Sequence, residues 1–131
     1  MADAGITTEV QMDGKNLWPH LINQQPIQRK INIAEGYVHD MIDKDDPEAS
    51  LAYRWCIQGD WKLILCYDGQ LEGWGQDTHE DMRQEPIRLY NLAEDPFETN
   101  NLYQKHPGQV KRLRDQIESW YALKQRKVLG E

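Results

Sequence analysis

The chain has 131 residues, 39% hydrophobic and 28% charged, with a formal net charge of −7 at pH 7. One domain is the natural reading of that length, burying about two thirds of the unfolded surface, and the acidity excludes a nucleic-acid binder, which needs clustered Lys and Arg to displace phosphate counterions. No run of about 18 apolar residues is available to span a membrane, and the opening MADAGITTEVQMDG lacks the basic and apolar regions of a signal peptide.

Five Trp and six Tyr accompany a single Phe, Phe97. Such rings bury much area while keeping a polar edge wet. Cys56 and Cys66 are too few for a disulfide scaffold and lack metal-ligand spacing, so they read as free, buried thiols.

Residues 1–28 read as an irregular segment and residues 29–131 as the folded unit. In MDGKNLWPHLINQQP, Leu17, Trp18, Leu21 and Ile22 can form one apolar helical turn or a plug, limited by Pro19. QRKINIAEGYVHD alternates Ile31 and Ile33 with polar neighbours, which predicts a strand. MIDKDDPEASL is acidic and contains Pro47, the pattern of a solvated surface loop.

Two β-rich runs then flank Gly59-Asp60, predicting a hairpin of about Ala52–Gln58 and Trp61–Tyr67. Alternation puts Tyr53, Trp55 and Ile57 on one face and Arg54, Cys56 and Gln58 on the other. On the second strand Trp61, Leu63, Leu65 and Tyr67 share a face, opposite Lys62, Ile64 and Cys66. Neither face is cleanly polar, so both need cover. A glycine-punctuated excursion, Gly69–Gln84, precedes a short strand in IRLYNL with Ile87, Leu89 and Asn91 on one side.

Asp95-Pro96 reads as a turn, with Thr99, Asn100 and Asn101 bonding local backbone. The final helix spans HPGQVKRLRDQIESWYALKQRK, with Val110, Leu113, Ile117, Trp120 and Leu123 at helical spacing. Pro107 suits its first turn, and Lys124, Arg126 and Lys127 would complement its dipole. The expected fold is α+β: a small antiparallel β-sheet of three or four strands packed on one long C-terminal α-helix, after an irregular N-terminal segment. That helix covers one sheet face. The other face has no cover in the chain, which predicts self-association or a missing partner.

No catalytic constellation emerges. The two serines, Ser50 and Ser119, fall on a loop and a helix, and His20, His39, His79 and His106 are far apart. The candidates for ligand contact are Tyr37 and His39, a ring and a titratable donor just past a strand, and Trp74 and His79 in the excursion. For each the alternative is an exposed loop residue. Arg54 reads as an ion-pairing strand residue, and Asn100 or Asn101 as sulfate or sugar ligands only secondarily.

The blocks ADAGI, MDGKNLWPHL, INIAEGY, GDWKLI, RLYNLAEDPFETNNL and HPGQVKRLRDQIESW follow one another in an order that resembles the C-terminal subdomain of the type I sulfatases, the arylsulfatase family. The likeness runs from about Ala2 to Tyr121. It implies that residues 1–28 are the tail of a catalytic domain and residues 29–131 the C-terminal α+β subdomain. It also implies a part that packs on the catalytic domain and lines the substrate pocket, with Tyr37, His39, Trp74 and His79 at its rim and a sulfated carbohydrate as ligand. Family members hydrolyse sulfate esters with calcium and a formylglycine made within C-x-P-x-R or C-x-A-x-R. Cys56 opens CIQGD and Cys66 opens CYDGQ, so neither matches. Calcium ligands too belong to the larger N-terminal domain, and Asp45-Asp46 sits in an acidic loop. The chain is therefore expected to carry no cofactor and no activity alone. The opening MADAGI falls inside the family's catalytic-domain tail, which favours a sulfatase part over the alternative, a stand-alone carbohydrate- or protein-binding module. A third possibility is a half supplied to a separately encoded catalytic chain. Compartment stays open, since family members are often periplasmic, secreted or lysosomal.

Overall fold

The computed structural model of the chain describes residues 14–27, 29–38, 43–69 and 83–130. At its centre is an antiparallel meander of β1 (Asn32–Tyr37), β2 (Leu51–Gln58), β3 (Trp61–Cys66) and β4 (Ile87–Asn91), each strand paired with the next. Helix α2 (Pro107–Trp120) crosses one face, and a five-residue helix α1 (Trp18–Ile22) precedes the sheet. The expected α+β arrangement is observed, with four strands.

The hairpin forms where alternation and turn chemistry place it. Gln58 pairs with Trp61, leaving Gly59 and Asp60 as a two-residue loop, and Gly59 has φ +60°. Glycine at that first central position matches the turn whose twist suits flanking strands. The second strand ends at Cys66 rather than Tyr67. Tyr67 instead bridges Val128, because the chain after α2 returns along this end of the sheet.

Register sorts the faces. Ile33, Cys56, Leu63 and Leu89 lie in one cross-sheet row, and α2 lays Leu113 and Ile117 over it. Cys56, Leu63, Leu89, Leu113 and Ile117 are all fully buried. Each large aliphatic among them contributes about 1.5–3 kcal/mol by leaving water. The opposite face carries half-buried Tyr53, Trp55 and Ile57 with buried Ile64, Cys66 and Tyr90. Lys62 helps to cover it: its Nζ lies 5.7 Å from the Trp55 ring centre and 2.7 Å from Glu98. Exposed large apolar side chains occur elsewhere, notably Leu17, Trp18, Leu21, Ile22 and Ile27 around α1, which buries none of its residues.

At Gly36, paired with Tyr53, a Cβ would overlap ring atoms Cζ, Cε1 and Cε2 of that tyrosine. The ring of Tyr53 thus occupies the space that glycine leaves open, an aromatic covering a strand glycine.

Two expectations need correction. Pro47–Ser50 is a 3₁₀ turn in which Glu48, Ala49 and Ser50 are buried, not a solvated loop. The final helix stops at Trp120 instead of running on to the basic residues. Tyr121 is extended (φ −153°, ψ 114°), and its carbonyl accepts a 2.6 Å bond from Arg54 Nη1. Glu48 then takes the Lys124 N–H at 3.1 Å, Arg126 pairs with Asp46 at 3.2 Å, and Lys127 and Leu129 bond Asp68 and Cys66. These long-range partners outweigh helix continuation. Lys124, Arg126 and Lys127 therefore lie outside the helix, and Trp120 is 41% exposed rather than core.

The segment 88–102 is organised by its own side chains. Asp95 accepts from the Asn100 backbone at 2.8 Å and from Thr99 Oγ1 at 3.1 Å. The donated bonds of Asn100 and Thr99 hold its carboxyl below the usual range. Asn101 lies along β4: Oδ1 accepts from Leu89 N at 3.0 Å and Tyr103 N at 3.2 Å, and Nδ2 donates to the Ile87 carbonyl at 3.0 Å.

Candidate functional site

A cleft of about 470 Å³ opens where the end of β1, the 3₁₀ turn and the chain after α2 meet. β1 contributes Glu35 and Tyr37, and the turn region contributes Asp45, Asp46 and Glu48. Trp120, Tyr121, Lys124 and Gln125 close the other side.

Arg54 organises this corner. It is 1% exposed, and Nη2 lies 2.5 Å from Glu35 Oε1 across the β1–β2 pair. Its guanidinium carbon lies 5.4 Å from the Tyr121 ring centre, 5.8 Å from Tyr67 and 6.0 Å from Trp120. A planar, weakly hydrated cation suits such a ring-lined setting. Glu35 thereby neutralises the buried charge, and its other oxygen accepts from Tyr37 Oη at 2.6 Å. Partial burial, with that bond to an anion, pushes the Tyr37 phenol up to about 12. Glu48, 8% exposed, receives Tyr121 Oη at 3.4 Å as well as Lys124 N.

Of the four expected contact residues, Tyr37 lies on this cleft, while His39, Trp74 and His79 fall outside the described residues. The sequence does not mark Glu48 or Trp120 as cleft residues: the acidic segment around Glu48 reads as a loop, and the helical spacing of Trp120 reads as core. Tyr121 gave no signal of its own. Their grouping depends on contacts 67 to 76 residues apart in sequence.

Several described side chains of the types used in catalysis are engaged within the fold. Burial pushes both Cys56 and Cys66 thiols up to about 11, far from reactive thiolates. Ser119 Oγ donates to the Gln116 carbonyl, and His106 packs on Trp61 with ring centres 5.2 Å apart. Asp45 faces Lys44 and Asp46 faces Arg126. Among the described residues no group of three or more His, Cys, Asp or Glu could hold a metal ion, and neither cysteine stands in a formylglycine motif. No helix among the described residues is long and apolar enough to cross a membrane.

No family model and no curated protein matches the chain. Its fold is found in a solved structure, a Bacteroides thetaiotaomicron sulfatase (BT33336S-sulf) from work on the metabolism of multiple glycosaminoglycans. The TM-score is 0.55 at 21% identity over 88% of this chain. The chain corresponds to 21% of that protein's length.

Proposed function

We propose that this chain is the C-terminal part of a sulfuric ester hydrolase, which packs on a catalytic domain and lines its substrate pocket. The observation that supports this most directly is the likeness of nearly the whole chain to one fifth of a sulfatase. The order of sequence blocks, ending in LYNLAEDPFETNNL and a terminal helix, points the same way. On this reading the nucleophile and calcium site belong to the catalytic domain, and the chain alone turns over no sulfate ester. Tyr37 stands at the pocket rim, with a sulfated carbohydrate as the candidate substrate. Partner contacts would use the exposed apolar side chains around α1, where Leu21 and Ile22 are 66% and 60% exposed.

The decisive test is the coding sequence flanking this chain. An in-frame C-x-P-x-R or C-x-A-x-R motif supports the proposal. Turnover of 4-nitrophenyl sulfate by the purified 131-residue chain would refute the account of where the nucleophile lies. A second reading, a stand-alone carbohydrate- or protein-binding module, is favoured by the buried or half-buried state of the sheet face away from α2. Sedimentation separates the two: a monodisperse, cooperatively unfolding monomer without that upstream motif fits the module.

A further inference from the structure

We propose that the cleft between β1 and the end of α2 binds an uncharged, hydroxyl-rich sugar unit. This deepens the reading of the chain as the lining of a carbohydrate pocket and rests on that reading for the ligand's origin. Three partly exposed rings, Tyr37, Trp120 and Tyr121, at 45%, 41% and 48%, border the same cavity. Flat rings of this kind offer an apolar face to the C–H side of a sugar while leaving its hydroxyls free to hydrogen-bond.

The polar wall selects the charge of the ligand. Glu35, Asp45, Asp46 and Glu48 supply acceptors, whereas Lys124 and Gln125 supply donors. A hydroxyl group both donates and accepts, so it suits either kind of neighbour. An anionic group gains no net attraction: Glu35, Asp45 and Asp46 face Arg54, Lys44 and Arg126, and Glu48 shares the lining with Lys124, so the charges at this corner balance. A cationic group would meet carboxylates already facing Arg54, Lys44 and Arg126, with Lys124 beside them.

Glu48 is the carboxylate with capacity left. Among the described residues no cation pairs with it, and one of its two bonds is long, 3.4 Å from Tyr121 Oη. An ionised carboxylate accepts about four hydrogen bonds, so Glu48 can still take sugar hydroxyls. The walls are held in advance: Arg54 fixes the Tyr121 carbonyl, Glu35 the Tyr37 hydroxyl and Arg126 the Asp46 carboxylate. Ligand binding then orders little new structure.

The test is a ¹⁵N NMR titration of the intact chain with lactose, maltose, cellobiose and N,N′-diacetylchitobiose, and separately with sodium sulfate. The expected result is saturable shifts from at least one disaccharide at the Trp120 indole and the amides of Tyr37, Glu48 and Tyr121. Sulfate alone should produce none there. Trp120→Ala and Tyr37→Ala should each weaken binding by ~10-fold or more, with an otherwise unchanged amide spectrum as the control for folding. Shifts from none of the four sugars, or saturable shifts from sulfate at these signals, would overturn the proposal. Sugar binding without association to a sulfatase catalytic domain would keep this inference and remove the sulfatase reading. Association without sugar shifts would do the reverse.

Discussion

Asn101→Ala is the sharpest probe of how the segment 88–102 is built. The side chain satisfies two backbone donors, Leu89 and Tyr103 N–H, and one backbone acceptor, the Ile87 carbonyl. It stands in for a fifth strand along β4, next to a real backbone bond from Leu102 N to Leu89 O at 2.8 Å. A net hydrogen bond contributes about 0.5–1.5 kcal/mol, and a group left buried without a partner costs about 1–3. Three bonds, with partial access of water to the freed groups, give an expected loss of about 2–4 kcal/mol. In urea followed by tryptophan fluorescence, that loss lowers the midpoint by about 1–2 M at unchanged slope. Asn101→Asp separates the roles: it keeps acceptors for Leu89 and Tyr103 but turns an oxygen toward the Ile87 carbonyl, so it should destabilise at least as much. Asn100→Ala is the control, since Asn100 is exposed and contributes its backbone N–H to Asp95; it should change stability by less than about 0.5 kcal/mol. If Asn101→Ala also stays within that margin, the strand-mimic account of this residue is wrong.

Gly36→Ala should destabilise by about 1–3 kcal/mol through overlap with the Tyr53 ring. Adding Tyr53→Ala should recover part of that loss, a non-additivity measured by a double-mutant cycle. Arg54→Ala, which strips the buried partner from Glu35 and the Tyr121 carbonyl, should cost about 3–5 kcal/mol by urea unfolding, whereas Arg54→Met with Glu35→Gln should cost clearly less. For the cysteines, folding raises the thiol pKa from its ordinary value of 9.0 to about 11, so the native state favours the protonated form. That stability is fully present below about pH 9 and is lost as pH rises through 11; unfolding free energies measured across this window should fall. Correspondingly, Ellman's reagent at pH 8 should label neither thiol until denaturant is added.

What could be read in the sequence was whatever local pattern decides. Alternation over Ala52–Gln58 and Trp61–Tyr67 fixed the faces, Gly59-Asp60 the turn, and the Val110, Leu113, Ile117 stripe the helix that packs on Cys56 and Leu63. The end of that helix could not be read. It is set by Arg54 and Glu48, which lie 67 and 76 residues before the groups they hold. The same limit hid most of the cleft. Tyr37, a ring at a strand end, carries a local signal and borders the cleft, but Trp120 fits a helical stripe equally well as core. Glu48 carries no local mark that an acidic segment will be buried.

These two regions show why the most distinctive sequence is not where binding is expected. In 88–102, Asp95 is engaged with Asn100 and Thr99, Asn101 with β4, and Glu98 with Lys62. Side chains whose donors and acceptors are already matched inside the fold have little to offer a ligand, so a fixed pattern there reflects the demands of the backbone. The cleft has the opposite character. Its residue types are common and their spacing is uninformative, yet Glu48 retains acceptor capacity and three rings remain open to solvent. Recognition chemistry depends on that unmatched capacity, which tertiary structure creates by bringing together groups no sequence motif connects.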